Sequence, residues 1–144
     1  MRKYLLPLAA CAAVLGSATA FAAQSSDTFQ TRIAIQTSCA ITVADVDFGN
    51  VGVINGTETA SGAVAVNCSA GTLWSASFNN AVLTTTLSSA MTNVNGEDVA
   101  YNAVLTLGGG VGPASFNINA NLPIQVTPTA GVTYTDNRTL YLNY

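Results

Sequence analysis

No histidine occurs anywhere in the 144 residues, which removes the imidazole base, the imidazole metal ligand and the side chain that titrates near neutral pH. Most hydrolase and metalloenzyme mechanisms lose their central group with it. Charge is scarce as well: 8% of the residues are Asp, Glu, Lys or Arg, with four bases against seven acids. The bases, Arg2, Lys3, Arg32 and Arg138, form no patch that could meet a phosphate backbone, so no nucleic acid is expected as a partner. Past residue 22 no stretch sustains a 3.6-residue apolar period over three turns, which argues against a helical core.

What is present begins with an address. Arg2 and Lys3 open the chain, an apolar stretch runs from Tyr4 to Leu15, and small residues lead to Ala20-Phe21-Ala22. This is the layout of a secretory signal peptide over residues 1–22, with cleavage expected after Ala22 and an alternative after Ala20. Pro7 and Gly16 interrupt an apolar run already too short for a membrane span. Leu8-Ala9-Ala10-Cys11 looks like an acylation box, but a cut there leaves too short a leader, so Cys11 is read as part of the apolar run. Without residues 1–22 the chain keeps two bases and all seven acids, a formal charge of −5. A chain of this size buries roughly two-thirds of its unfolded surface in one core. Cys39 and Cys68 remain after processing, and an oxidising compartment is expected to join them. Closing that loop stabilises a fold by roughly 3 to 4 kcal/mol on the chain-entropy estimate. A two-cysteine metal site is the rival, disfavoured by the missing histidines and the lack of a second cysteine pair; no metal and no cofactor are expected.

Alternating apolar and polar residues make the remainder all-β. Strands are expected at Phe29 to Thr37, Cys39 to Phe48, Gly62 to Cys68, Leu73 to Phe78, Ala81 to Leu87, Val99 to Leu107, Ala114 to Asn119, Pro123 to Val126 and Arg138 to Tyr144. Asn55-Gly56, Asn95-Gly96, the Gly108 to Gly112 cluster and Thr127-Pro128 supply the turns. Such spacing indicates a sandwich or barrel. Period two turns four sets inward: Val64, Val66 and Cys68; Trp74, Ala76 and Phe78; Tyr101, Ala103, Leu105 and Leu107; Leu140, Leu142 and Tyr144. Trp74 could instead be a sugar-stacking platform, but its alternation with Ala76 and Phe78 favours the core.

The segment from Asp27 to Gln36 alternates cleanly, with Phe29, Thr31, Ile33 and Ile35 on one face and Gln30, Arg32, Ala34 and Gln36 on the other. On the pattern alone it reads as the first strand of the sandwich. The second reading is a donor strand, offered to a neighbouring copy by β-strand addition.

The runs Ile33-Ala34-Ile35-Gln36-Thr37-Ser38-Cys39-Ala40-Ile41, Val46-Asp47-Phe48-Gly49-Asn50-Val51 and Ala65-Val66-Asn67-Cys68 resemble the spore coat protein U domain, shared by subunits of archaic (Csu-type) chaperone-usher pili. Gly131-Val132-Thr133-Tyr134-Thr135-Asp136 and Thr139 through Tyr144 are similar to that family's terminal Tyr-x-Asp turn and last strand. The resemblance implies an incomplete immunoglobulin-like sandwich, completed by a donor strand from a neighbouring subunit. On this sequence residues 23–37 would be the donor extension, with Phe29, Thr31, Ile33 and Ile35 facing the groove, and residues 38–144 the pilin-like domain. The acceptor edge would carry Leu140, Leu142 and Tyr144, and Cys39 would bridge to Cys68. The implied partners are a periplasmic chaperone, an outer-membrane usher and other copies or related pilus subunits. The implied setting is the cell surface, reached through the periplasm, and the implied role is adhesion and biofilm formation without catalysis. A self-contained secreted β-sandwich that binds carbohydrate or matrix is the alternative. An exported enzyme ranks last.

The remaining candidates for chemistry reduce to simpler readings. Asp45 and Asp47 would share one face of a strand, but with no partner base or nucleophile they read as solvated turn residues. Asn93 to Asp98 lacks the ligand spacing of a calcium loop and reads as a surface turn. The Gly108 to Gly112 cluster has no following Lys and Ser/Thr, so it is no phosphate cradle and reads as a mobile hairpin loop. Three Asn-x-Ser/Thr triplets, starting at Asn55, Asn67 and Asn137, carry no assigned role.

Overall fold

The structure, a computed structural model, describes residues 26–144; the expected signal peptide, with Cys11, lies outside them. The chain divides into two units, residues 1–33 and 34–144, and every strand belongs to the second. Eight strands follow in order: β1 (Cys39–Val43), β2 (Thr59–Cys68), β3 (Leu73–Ser77), β4 (Thr86–Thr92), β5 (Asp98–Leu105), β6 (Gly109–Val111), β7 (Ala114–Asn121) and β8 (Tyr141–Asn143). There is no helix among the described residues. The strands form an antiparallel five-stranded sheet ordered β1-β2-β7-β5-β4 and a three-stranded sheet ordered β6-β3-β8, the arrangement of an immunoglobulin-like sandwich.

Period two builds the core. Along β2, Val64, Val66 and Cys68 are buried while Ala63, Ala65 and Asn67 are exposed, and β7 alternates in the same way with Phe116, Ile118 and Ala120 inward. Trp74 and Ala76 supply the opposing layer from β3. The indole of Trp74 stacks on Phe116, with ring centroids 5.8 Å apart and planes 14° apart, and its Nε1–H donates to the Gly112 carbonyl at 2.8 Å. Trp74 is thus a core residue and no sugar platform. Burying each such side chain contributes about 1.5 to 3 kcal/mol.

Cys39 and Cys68 stand opposite each other as the terminal rung of the β1–β2 ladder and are joined by a disulfide. Beyond β1 the Ala44 N–H still donates to the Ala63 carbonyl, but the chain then leaves the ladder, ending the strand earlier than the expected Phe48. Gly62 is the reason. A Cβ at this inward-facing position would lie 2.6 Å from the Ala44 carbonyl oxygen and 2.9 Å from a Val46 methyl, so only a glycine lets the chain cross over the inner side of β2.

Other differences from the sequence pattern have local causes. The glycine cluster is no mobile loop: Gly109–Val111 pairs with β3, and a Cβ on Gly110 would come within 2.9 Å of the Trp74 ring. The glycines are therefore the surface on which the indole lies. The strand expected at Ala81 to Leu87 is displaced to β4. Residues 79–84 instead wrap around buried Ser77, whose hydroxyl accepts the Asn79 and Thr84 N–H groups at 3.1 and 2.8 Å. Pro123 to Val126 makes no strand. In its place the Gln125 side-chain amide accepts the Ala100 N–H at 2.9 Å and donates to the Ala100 carbonyl at 2.8 Å, pairing both backbone groups of one β5 residue. Leu107 is exposed, not inward, because β5 ends at Leu105. Phe29 to Thr37 carries no regular structure, since no ladder within the described residues includes it.

Two substitutions test this framework. Gly62→Val should destabilise the exported protein by about 1 to 3 kcal/mol through overpacking against backbone. Replacing both bridging cysteines by serine should remove about 3 kcal/mol. Thermal unfolding of the exported protein reads both.

Candidate functional site

The expected donor residues are laid bare. Phe29, Ile33 and Ile35 are 89%, 87% and 81% exposed, and Thr31 is exposed as well. Such exposure of three large apolar side chains on one short segment has no stabilising role within a single chain. The segment is tied to the sandwich at its far end. The Ser69 hydroxyl donates to the Gln36 carbonyl at 3.1 Å and accepts the Ser38 N–H at 3.2 Å, next to the Cys39–Cys68 bridge.

The expected acceptor edge is β8. It pairs with β3 through Ala76↔Leu142 and its neighbours, and among the described residues no strand pairs with its other side. Leu140 and Leu142 are half-buried against the core, as are Ile41, Val46 and Phe48 from β1 and the chain after it. Tyr144 differs from the expectation: it lies past the end of β8 and is exposed. A cleft of about 710 Å³ opens between residues 46–54 and 127–134. Its lining includes the buried side chains of Ile54, Val99 and Leu122 together with half-buried Phe48 and Met91. The sandwich thus carries an unpaired edge at β8 over one apolar cluster and a cleft over a second, with Phe48 and Tyr101 packed against both clusters.

Two carboxylates fix the approach to β8. Glu97 accepts hydrogen bonds from Thr129 Oγ1 and Asn93 Nδ2, each at 2.7 Å, and from the Tyr134 hydroxyl at 2.9 Å. Asp136 Oδ2 accepts the hydroxyls of Ser89 and Tyr101, each at 2.9 Å, and the Arg138 Nε–H at 2.8 Å. Between them Thr135 exchanges backbone hydrogen bonds with Thr92 at 3.0 and 3.2 Å, extending the five-stranded sheet beyond β4 before the chain crosses to β8. The bonds from Thr129, Tyr134 and Asn93 hold the Glu97 carboxyl below the usual glutamate value. Burial acts to raise Asp136, but the bonds from Arg138, Ser89 and Tyr101 outweigh it and hold that carboxyl below the usual aspartate value. The family resemblance placed Tyr134 and Asp136 in a turn. It missed Glu97, Ser89 and Tyr101 as their partners, and the spacing of Tyr134 and Asp136 by two was the only signal that both point to one side.

Residues 25–104 match the family model of the Spore Coat Protein U domain. The chain belongs to this family. The match runs from the exposed segment through both bridging cysteines to β5 and includes Glu97, while Tyr134, Asp136 and β8 lie beyond it. Spore coat protein U domains mark pilus-type subunits, surface proteins that assemble with other subunits. No curated protein and no solved structure matches the chain.

Because both carboxyls titrate lower folded than unfolded, they stabilise the fold above the ordinary carboxylate range, and that contribution is lost as pH falls below about 4 through their depressed values. The melting temperature should therefore decline on acidification. A variant carrying Glu97→Gln and Asp136→Asn should start lower at pH 7 and fall less steeply. A parallel decline in wild type and variant would show that these groups do not carry the acid sensitivity.

Proposed function

We propose that this chain is a non-catalytic structural subunit of an archaic (Csu-type) chaperone-usher pilus that polymerises by donor-strand complementation, serving adhesion and biofilm formation. The observation that carries the reading is the coexistence of an exposed alternating segment at Phe29 to Gln36 with an unpaired strand edge at β8. One supplies backbone groups and apolar side chains without a partner, and the other lacks both.

In this reading the segment of one subunit inserts beside β8 of the next, with Phe29, Thr31, Ile33 and Ile35 facing the groove where Leu140 and Leu142 are half-covered. Burying Phe29, Ile33 and Ile35 contributes roughly 5 to 9 kcal/mol before ladder hydrogen bonds are counted. The contact is head-to-tail and does not close, so repetition gives a filament. Separating two subunits means unfolding part of one, which makes the fibre kinetically stable. Until the segment arrives, an open edge beside apolar side chains is prone to aggregation, and this chain has few charges with which to guard it. A periplasmic chaperone covering the edge, and an usher exchanging it for the incoming segment, answer that physical need.

Co-expression with the cognate chaperone and usher, followed by denaturing gels of boiled and unboiled samples, tests the reading. A ladder is expected in the unboiled lane alone. A single band in both lanes would favour a self-contained binding module. Ile33→Asp, which places a charge in the apolar groove, should abolish the ladder while chaperone capture persists. Loss of chaperone capture as well would place Ile33 in the subunit's own core.

A further inference from the structure

Asparagine followed by glycine is the dipeptide in which a backbone nitrogen most readily attacks the side-chain amide before it, because glycine has no Cβ to obstruct the approach. The chain has two such dipeptides, Asn55-Gly56 ahead of β2 and Asn95-Gly96 between β4 and β5. The two glycines have similar φ, 89° and 80°, and both asparagines are exposed. Local sequence treats the pair alike; their surroundings do not.

At Asn55 the groups that the reaction needs are in place. The Thr57 N–H and hydroxyl both donate to Asn55 Oδ1, at 3.0 and 2.6 Å. They draw electron density from Cγ and stand ready for the charge that this oxygen acquires when a nucleophile adds, as donors around an oxyanion do. A backbone N–H can only donate, so the bond also settles that the amide oxygen, not its nitrogen, faces Thr57. Glu58 Oε2 accepts the Gly56 N–H at 3.1 Å and the Asn55 N–H at 3.2 Å, which sets a carboxylate on the attacking nitrogen. Asn95 has no such help. The Gly96 N–H donates to the Asn93 backbone carbonyl at 3.1 Å, which is no base. The neighbouring carboxylate, Glu97, is taken up by Thr129, Asn93 and Tyr134.

We propose that Asn55 is a self-deamidation site, in which Gly56 supplies the nucleophile, Glu58 the base and Thr57 the oxyanion donors. The Gly56 nitrogen bonds to Asn55 Cγ as Glu58 takes its proton, and the carbonyl electron pair moves onto Oδ1. Collapse breaks the Cγ–Nδ2 bond, and the nitrogen leaves with the proton from Glu58 as ammonia, closing a succinimide between residues 55 and 56. Water then opens either carbonyl of the ring, giving aspartate or isoaspartate and a new negative charge. The fold keeps the glycine that makes this possible: a Cβ on Gly56 would stand 2.7 Å from the Ile124 side chain. The preceding residue, Ile54, is buried in the wall of the cleft, and its N–H donates to Thr127 Oγ1 at 3.1 Å. Isoaspartate adds a methylene group to the main chain beside that anchor and a charge beside Glu58, so the reaction both marks the age of a subunit and loosens the cleft wall. The site is independent of the donor-strand reading.

Incubation of the exported chain at neutral pH, followed by digestion and peptide mass spectrometry, tests the proposal. Asn55 should convert about tenfold faster than Asn95, the contribution of a base and oxyanion donors at an exposed site. In urea, where the fold is gone, the two rates should converge. Glu58→Gln should bring the Asn55 rate of the folded chain down to that of Asn95, and Thr57→Ala, which keeps the backbone donor, should give an intermediate rate. Equal rates at the two sites in the folded chain would overturn the proposal, as would an unchanged Asn55 rate in a Glu58→Gln chain that melts like wild type. Should Glu58→Gln lower the melting temperature, Thr57→Ala decides, and a wild-type Asn55 rate in that variant overturns the proposal.

Discussion

A β-strand with backbone donors and acceptors on an open edge, set beside apolar side chains that the same fold half-covers, is the constraint around which this molecule is organised. Backbone groups away from water need partners, and apolar surface needs cover. At β8 both needs are left unmet among the described residues, although Trp74 on Phe116 and the inward rows of β2, β5 and β7 are covered. The exposed segment from Phe29 to Gln36 has the reverse imbalance. Neither feature is an accident of a poorly packed chain, because the packing elsewhere is tight enough for a single Cβ at Gly62 or Gly110 to collide with its neighbours.

The position of β8 is held from outside the three-stranded sheet. Three residues, Tyr134, Thr135 and Asp136, are fixed to the β4–β5 hairpin by side-chain bonds to Glu97, by backbone exchange with Thr92, and by the Ser89 and Tyr101 hydroxyls. The chain then crosses to β3. An edge strand of three residues has little ladder of its own with which to resist displacement, so this approach supplies order that pairing with β3 alone would not. It also keeps the edge presented in one place. On the proposed donor-strand reading, a preformed edge serves an incoming strand better than one that orders only on contact.

The all-β class, the inward rows of β2 and β3, the core role of Trp74 and the Cys39–Cys68 pairing were legible in the sequence because each depends on a pattern local to one strand or on the two cysteines left after the expected signal peptide. The misreadings share a cause: a side chain or a close approach from far along the chain replaced what local pattern suggests. Gln125 substitutes its amide for a strand at Ala100, Ser77 gathers residues 79–84 into a turn, and Trp74 makes a strand of glycines that read as a loop. The segment from Phe29 to Thr37 shows the limit most plainly. Alternation says that it suits a ladder, and nothing within one chain's alternation says whose ladder it joins. The inward packing of Leu140 and Leu142 was legible, while the bonds of Tyr134 to Glu97 and of Tyr101 to Asp136 join residues 35 or more apart.

The bridge between the first residue of β1 and the last of β2 has a mechanical meaning. Tension applied through the leading segment arrives at Cys39, and the covalent link carries it at once into β2, which lies between β1 and β7. β1 therefore cannot be peeled from its neighbour rung by rung starting at that end. The load passes instead into β2, which is held to β7 through eight paired positions.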